Sequence, residues 1–241
     1  MDVEWLWRTS SVMRRVHAFV DGKEVVSIGS VVRPGVLVVC KHGVSNDSSK
    51  VFVEGRDGQC FWPVDGIVVQ HNIDAAFLLC KLEDGQQCLH DFSECGDVGS
   101  VGSQLAVLSM DTSARARVSV GCLHSILDSS FTYTSCHDMR EGSSGSLIFL
   151  NEKWVGMHLG EKKSEHGYYR GLLSRFINVE CIEEIKHDDA AACMSFDDVL
   201  VRMPTAVPPL DKNGLLGWLS VQNEKSKYIN PAKLRSVGVS V

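Results

Sequence analysis

The chain has 241 residues, of which 30 are acidic and 24 basic, so its formal net charge is −6. This length is enough for one large all-β domain or two smaller ones, each with its own buried core. The acidic balance argues against a nucleic-acid-binding surface, so RNA binding is not expected. We also expect no signal peptide and no membrane insertion, because no apolar stretch is long enough.

Nine cysteines are spread singly along the chain. Their number is odd and no Cys-x-x-Cys pair occurs, which predicts mostly reduced thiols in a cytosol-like compartment. Cys40 and His42 have a close Cys/His ligand spacing, but His42 fits a different role. The sequence therefore predicts neither a metal nor an organic cofactor.

The first half of the chain is predicted to form six short strands. Its valine-rich runs are separated by turn residues such as Asp21-Gly22 and Arg33-Pro34-Gly35. This spacing is typical of a barrel or a sandwich and not of βαβ units. The predicted strands are Val16–Val20, Val25–Val32, Val36–Cys40, Lys50–Glu54, Gly66–Gln70 and Ala75–Lys81.

The second half repeats this pattern after a looser connection at Glu83–Gly99. Two successive sets of six strands predict an all-β double barrel, with the first barrel and a helical or irregular lead at 1–90 and the second barrel at 91–178. The strands predicted for the second barrel are Gln104–Ser109, Ala116–Leu123, Phe131–Ser135, Ser146–Leu150, Trp154–Leu159 and Tyr168–Ser174.

Residues 179–241 have a different character and are predicted to form a C-terminal extension or a small extra domain with helical content. A partly disordered extension is the alternative. The elements expected there are a short helix at Val179–Lys186, a second element at Ser195–Arg202, a linker at Pro204–Pro209, and segments at Leu215–Val221 and Pro231–Leu234.

A cluster of small residues, Glu141-Gly142-Ser143-Ser144-Gly145-Ser146, runs directly into the apolar stretch Leu147–Leu150. Glycine permits backbone angles closed to other residues, so the N–H groups of Gly142 and Ser144 are able to converge on one point. Such a point is an oxyanion hole, and Ser144 is the nucleophile that an acyl-transfer enzyme needs. The alternative is an ordinary turn between two strands.

A serine nucleophile needs a base and a group that orients the base. His42 follows the predicted strand at Val36–Cys40, and Asp74 opens another apolar strand, so both stand at strand ends where catalytic groups are often displayed. A carboxylate at Asp74 is able to fix the tautomer of His42 and to stabilise its imidazolium form. The alternatives are a surface or core histidine, a turn-capping aspartate, and His71 as a rival base.

Three segments of the chain resemble chymotrypsin-like proteases. Val36–His42 looks like their histidine strand, Asp74–Leu78 resembles their Asp-Ile-Ala-Leu-Leu segment, and Gly142–Ser146 matches their Gly-Asp-Ser-Gly-Gly. The chain order of histidine, aspartate and serine is also the chymotrypsin order, distinct from those of subtilisins and α/β-hydrolases.

This resemblance implies a double-barrel serine endopeptidase with its site in the cleft between the barrels. It assigns His42, Asp74 and Ser144 as the catalytic residues, and the backbone N–H groups of Gly142 and Ser144 as the oxyanion hole. A polypeptide is then the substrate.

A fourth segment, Val155–Gly160, looks like the Gly-x-His strand of the 3C-like proteases of positive-strand RNA viruses. In those enzymes the histidine lines the specificity pocket and binds a Gln or Glu side chain before the scissile bond, which implies this role for His158. The alternative is a core histidine satisfied by a hydroxyl or a carbonyl. Met139 stands where many such proteases have a threonine, and Thr134 and His137 are nearby substitutes, so all three are counted among the predicted substrate-binding residues.

With serine as its nucleophile, the sequence resembles the serine 3C-like proteases of nidoviruses, sobemoviruses and astroviruses. Its motifs do not distinguish between these three groups. The resemblance implies that the protein processes a viral polyprotein, as a main protease does. It also implies a location in the host cell cytoplasm, at membrane-associated replication complexes, and it leaves a homodimer open. Two alternatives stand beside it: a cellular trypsin-like protease, and a non-catalytic module on the same fold that binds protein or RNA.

Overall fold

The computed structural model describes residues 2–20, 23–56, 58, 60–82, 87–91, 93–137, 139–161, 167–182, 194–195 and 198–199. Helix α1 spans Val3–Ser11, within the predicted lead, and the remaining regular structure is mostly β. The strands are β1 Met13–Val20, β2 Lys23–Arg33, β3 Val36–Val39, β4 Val51–Glu54, β5 Cys60–Pro63, β6 Gly66–Gln70, β7 Ala75–Leu79, β8 Gln104–Met110, β9 Ala116–Leu127, β10 Ser130–Ser135, β11 Leu147–Leu150, β12 Lys153–Glu161, β13 Tyr168–Leu173 and β14 Met194–Ser195.

The strands form two antiparallel systems, which follow one another along the chain except that β14 returns to the first. The first is an eight-stranded sheet in the order β14-β5-β4-β1-β2-β3-β7-β6, and the second is a closed six-stranded barrel in the order β10-β13-β12-β11-β8-β9. This arrangement confirms the predicted all-β, chymotrypsin-like double-barrel class. The domain boundaries at 90 and 178 stay predictions.

The burial of residues along the strands explains why the apolar pattern of the sequence predicted them. In β9, buried residues alternate with exposed ones from Ser119 to His124, as expected for a strand with one face in a core. The strands β3 and β7 are instead buried at every position, and their sequences are continuous apolar runs.

Strand β5 is a strand of the first sheet where the sequence analysis predicted no element. Its sequence, Cys60-Phe61-Trp62-Pro63, is short, contains no valine and ends in proline, so it carries a weak strand signal. It is extended because it pairs with β4, with Val53 opposite Trp62. The first sheet therefore contains seven consecutive strands where six were predicted.

The predicted C-terminal elements are described only in part. Where the sequence predicts the first turn of a helix at Val179–Lys186, the structure has a 3₁₀ turn at Val179–Cys181 that ends in the extended residue Ile182. The rest of that predicted helix, from 183 onward, lies outside the described residues. The element predicted at Ser195–Arg202 overlaps β14, which pairs with β5. The segments expected at Pro204–Pro209, Leu215–Val221 and Pro231–Leu234 all lie outside the described residues. None of the helices described is long and apolar enough to cross a membrane.

Helix α1 attaches the start of the chain to the second barrel. Asp2 caps the helix by accepting a hydrogen bond from the Glu4 N–H. Trp5 is only 9% exposed and packs edge-on against Phe149 of β11, with ring centroids 4.8 Å apart. Trp7, on the opposite side of the same helix, is 68% exposed. The two tryptophans therefore contribute very differently to the core.

This difference gives a stability prediction. Trp5→Ala should lower the free energy of unfolding by about 3–5 kcal/mol, because it removes a buried indole that joins the helix to the barrel. Trp7→Ala is the matched control and should change it by no more than about 0.5 kcal/mol. Urea denaturation measures both values, and similar losses for the two variants would contradict the assignment of Trp5 to the core.

Candidate active site

The side chains of His42, Asp74 and Ser144 meet at one point of the structure. His42 lies in a 3₁₀ turn directly after β3, and Asp74 directly precedes β7. These two strands pair antiparallel, with Val39 opposite Ala76, so the end of one and the start of the other are adjacent. Ser144 lies in the loop before β11.

Hydrogen bonds connect the three side chains in series. The His42 Nδ1 lies 2.6 Å from the Asp74 Oδ2, and the His42 backbone N–H donates to the Asp74 Oδ1 at 3.0 Å. The His42 Nε2 lies 3.1 Å from the Ser144 Oγ. Since Asp74 holds both the ring and the backbone of His42, the imidazole is fixed with its second nitrogen facing the serine.

The charges at this site support each other. The hydrogen bond that Asp74 accepts from the His42 ring raises the pKa of His42 above its usual 6.5. The charge of the carboxylate acts in the same direction, and burial acts against both. Burial alone would raise the pKa of Asp74, but the hydrogen bonds and charge of His42, and the charge of Arg170, lower it below its usual value. Asp74 is therefore ionised at neutral pH and favours proton uptake by His42.

Two glycines shape the loop that carries Ser144. The Ser143 N–H donates to the Arg140 carbonyl, and Gly142 has a φ of 90°, as a type II turn requires at its third position. Gly145 has a φ of 93°, and a Cβ there would lie 1.8 Å from the Ile28 carbonyl oxygen. Only glycine fits at this second position.

The backbone N–H group of Gly142 lies within this turn, and that of Ser144 lies directly after it. Within the described part of the chain, neither donates a hydrogen bond to a protein acceptor. Both amides are thus available for an anionic or polar group beside Ser144. The predicted oxyanion hole needs two such uncommitted donors.

A β-bulge brings strand β12 against Ser144. His158 pairs with Gly171 and Gly160 pairs with Arg170, so Leu159 is the extra residue between them. The Leu159 carbonyl lies 3.4 Å from the Ser144 Oγ. The bulge thus places a backbone acceptor beside the serine instead of in the sheet ladder.

His158 is buried in the second barrel, with 2% of its surface exposed. Its Nδ1 lies 2.8 Å from the Tyr133 hydroxyl. Burial, together with the charge of His42, lowers the pKa of His158 to about 3, so its imidazole is neutral. Burial also raises the pKa of Tyr133 well above its usual value, so the phenol keeps its proton.

Tyr133 is a site residue that the sequence analysis missed. It belongs to β10, next to Thr134, and adjacent residues of a strand point to opposite faces. The alternation of the predicted strand could therefore have identified Tyr133. It faces the barrel interior, where His158 lies, whereas Thr134 faces the other side of the sheet.

The other three predicted substrate-binding residues have different surroundings. Thr134 lines a cavity of about 440 Å³ on β8, β9 and β10, together with Gln104 and Cys122. His137 is exposed, and its Nδ1 lies 3.1 Å from the Cys136 Sγ. Met139 packs on the second-barrel core, and its N–H donates to the Tyr169 hydroxyl at 3.2 Å.

The structure also bears on two other possibilities considered from the sequence, His71 as the base and a metal site. His71, the rival base, is exposed in the turn that follows β6, and the imidazole hydrogen-bonded to Asp74 is that of His42. Across the described residues, no group of three or more His, Cys, Asp or Glu side chains is arranged to hold a metal ion.

Solved structures of bacterial serine proteases are similar to this chain. The Rv3671c protease of M. tuberculosis, in its active form, aligns with a TM-score of 0.57 and 15% identity, over 72% of this chain and 80% of that one. An inactive serine-to-alanine mutant of Rv3671c, from M. tuberculosis H37Rv, aligns with a TM-score of 0.57 and 14% identity, over 72% and 86%.

The serine endoprotease of Yersinia pestis aligns with a TM-score of 0.59 and 11% identity, over 73% of this chain and 64% of that one. No protein-family model and no curated protein matches the chain. At these identities the structural likeness establishes the chymotrypsin-like fold.

The glycine after Ser144 gives a second stability prediction. Gly145→Ala should lower the free energy of unfolding by about 3 kcal/mol or more, because the new methyl group overlaps the Ile28 carbonyl at a positive φ. Gly102→Ala is the matched control: its φ is 90° but no atom lies within 4 Å, so only the backbone strain of about 1–2 kcal/mol applies. Equal losses in urea denaturation would contradict the predicted clash.

Proposed function

We propose that the chain is a serine endopeptidase of the chymotrypsin type. The observation that carries this proposal is the hydrogen-bonded series from Asp74 through His42 to Ser144. His42 takes the proton of Ser144 as its Oγ attacks the scissile carbonyl, and later gives that proton to the leaving amine. Asp74 orients the imidazole and stabilises its charged form.

The oxyanion formed in this step is stabilised by two backbone amides of the loop that carries Ser144. The N–H groups of Gly142 and Ser144 donate to it, and one such donor is worth about 3–4 kcal/mol in the barrier. The positive φ of Gly142 supports this role, because it turns the peptide that carries the first donor. No step of this mechanism requires a metal or an organic cofactor.

We further propose that His158 selects the residue before the scissile bond. If Tyr133 donates to the His158 Nδ1, the single proton of the neutral imidazole is on Nε2. A neutral donor of this kind suits the amide oxygen of a Gln side chain, and suits a Glu carboxylate less well because the imidazole stays uncharged. The proposed preference is therefore Gln, with Glu second.

The same geometry fits the alternative of a core histidine satisfied by a hydroxyl. His158 is 2% exposed, and the Tyr133 hydroxyl is such a partner. The two roles differ in what happens when the imidazole is removed. A pocket histidine controls which substrate is cut, whereas a core histidine controls only how stable the protein is.

A viral polyprotein as the natural substrate is the most specific part of the proposal. It rests on the likeness of Val155–Gly160 to the 3C-like proteases, while the similar solved structures named above are bacterial. Met139, where many of those enzymes have threonine, makes the Gln preference less strict. A site of action in the host cytoplasm and a homodimer belong to this same proposal.

The catalytic assignment predicts that Ser144 reacts with a fluorophosphonate probe. Ser144→Ala should abolish labelling and lower kcat for peptide hydrolysis by about 10⁶-fold, since the nucleophile is lost. The rate should also fall as the pH falls through the pKa of His42, which lies above 6.5, because the protonated imidazole accepts no proton. Labelling followed by mass spectrometry and pH–rate profiles measure both.

Ser130→Ala is the control for this experiment, because Ser130 is a hairpin serine whose hydroxyl donates to the Leu127 carbonyl. It should label and hydrolyse like the parent protein. If the parent and Ser144→Ala are equally inert toward probe and peptides, the catalytic proposal fails, and a non-catalytic binding module becomes the better reading.

The specificity assignment predicts a selective effect of His158→Ala. It should lower kcat/KM for Gln substrates by about 100-fold, because a buried donor to the substrate amide is lost. Substrates with a small apolar residue at that position should be affected much less. A peptide library varied before the scissile bond measures the change, and an equal loss for every substrate would instead support the core-histidine alternative.

A further inference from the structure

A buried cluster of charges lies on the face of β1 opposite to Val16 and Ala18, which belong to the main core. His17 of β1 is 5% exposed and lies between two carboxylates: its Nδ1 is 2.6 Å from the Glu24 Oε1 and its Nε2 is 2.8 Å from the Glu54 Oε2. Arg15 adds a second cation, with its Nη1 3.4 Å from the Glu54 Oε2. With His17 protonated, two positive and two negative charges balance.

The cluster adjoins the place where the C-terminal part of the described chain packs. We name the residues Met194, Ser195, Asp198 and Val199 the C-terminal strap. Its strand β14 pairs with β5, so that Met194 is opposite Phe61 and Ser195 is opposite Cys60. The strap thus covers an edge of the sheet that would otherwise offer open hydrogen-bonding groups.

Apolar contacts hold the strap against this edge. Met194 is 9% exposed and Val199 is fully buried, and both pack with Phe52 and Phe61 in a small hydrophobic cluster separate from the main core. Asp198 closes the strap internally by accepting hydrogen bonds from the N–H and hydroxyl of Ser195.

Phe61 joins the strap to the charged cluster. Its ring lies edge-on to the His17 imidazole, with centroids 5.2 Å apart, and its backbone pairs with Met194 on one side and with Glu54 on the other. Any rearrangement of His17 and its carboxylates therefore disturbs the residue on which the strap rests.

We propose that this face of the first sheet is a proton-controlled latch for the C-terminal strap, closed when His17 is charged and loosened when it is neutral. A neutral imidazole has one N–H, so one of the two carboxylates would face a lone pair at a distance below 3 Å. The ring nitrogen without a proton and the carboxylate oxygen that faces it are both hydrogen-bond acceptors, so they repel each other at that distance. That carboxylate, of Glu24 or Glu54, then moves away from the ring and the cluster opens to water.

The pH range follows from the groups that face His17: Arg15 on its own strand, Glu24 on β2 and Glu54 on β4. Burial would lower the pKa of His17, but the hydrogen bonds and charges of Glu24 and Glu54 raise it above 6.5. Its contribution is therefore complete below pH 6.5 and is lost as the pH rises through the higher folded value.

Glu24 sets the other limit of this range. Burial would raise its pKa, but His17 and Arg15 lower it below 4.5, so its contribution is present above pH 4.5 and is lost on acidification. The latch is expected to be tightest between pH 4.5 and 6.5, where both groups are charged.

Hydrogen exchange of the full chain tests the latch directly. The Ser144→Ala variant serves as the parent, so that the readout is independent of proteolysis. Exchange of the strap amides is measured by mass spectrometry and corrected for the intrinsic pH dependence. The protection factor of the strap should fall about tenfold between pH 6 and pH 9. His17→Gln should remove this pH dependence, and strap protection that is equal at both pH values in the parent would overturn the proposal.

Three companion variants sharpen the result. His124→Gln changes an exposed histidine of the second barrel and should leave the pH profile as in the parent. Met194→Asp should expose the strap at every pH while β8–β13 stay protected. Glu24→Gln tests the proposal if His17→Gln does not fold. It removes one of the two carboxylates that raise the pKa of His17, so the pH at which half of the strap protection is lost should move downward. An unchanged midpoint would also overturn the proposal.

Discussion

The segment from Ser144 to Ser146 is held by hydrogen bonds from both sheets, and the candidate site depends on this junction. The Ile28 N–H of the first sheet donates to the Ser144 carbonyl at 2.8 Å. From the second barrel, the His158 carbonyl accepts from the Gly145 N–H at 2.9 Å, and the His158 N–H donates to the Ser146 carbonyl. The absence of a side chain at Gly145 is what lets the two sheets approach this closely.

Two histidines near this junction are tuned in opposite directions by their surroundings. His42 is half-exposed and bonded to a carboxylate, so its pKa is raised. His158 is enclosed by the barrel and bonded to a phenol, so its pKa is lowered to about 3. One protein thus keeps one imidazole ready to accept a proton and another neutral at neutral pH.

Local patterns in the sequence were enough for most strands and for the three residues of the hydrogen-bonded series, because each of these residues stands at a strand end or a glycine turn. Features that depend on distant partners were not visible. Tyr133 meets His158 across 25 positions of sequence. The charges around His17 come from three strands, and β5 is extended only because of its neighbours. The residues next to Tyr133, His17 and β5 in the sequence do not indicate which distant residues these groups will contact.

The bulge at Leu159 also limits how sequences of this type are able to diverge. Loops between strands tolerate insertions and deletions, but a single deletion between His158 and Gly160 would shift the strand by one residue. His158 would then turn from the barrel interior to the other face of the sheet, or the carbonyl beside Ser144 would be lost. Lineages that keep both groups must conserve the length of this short segment, even where its residues change.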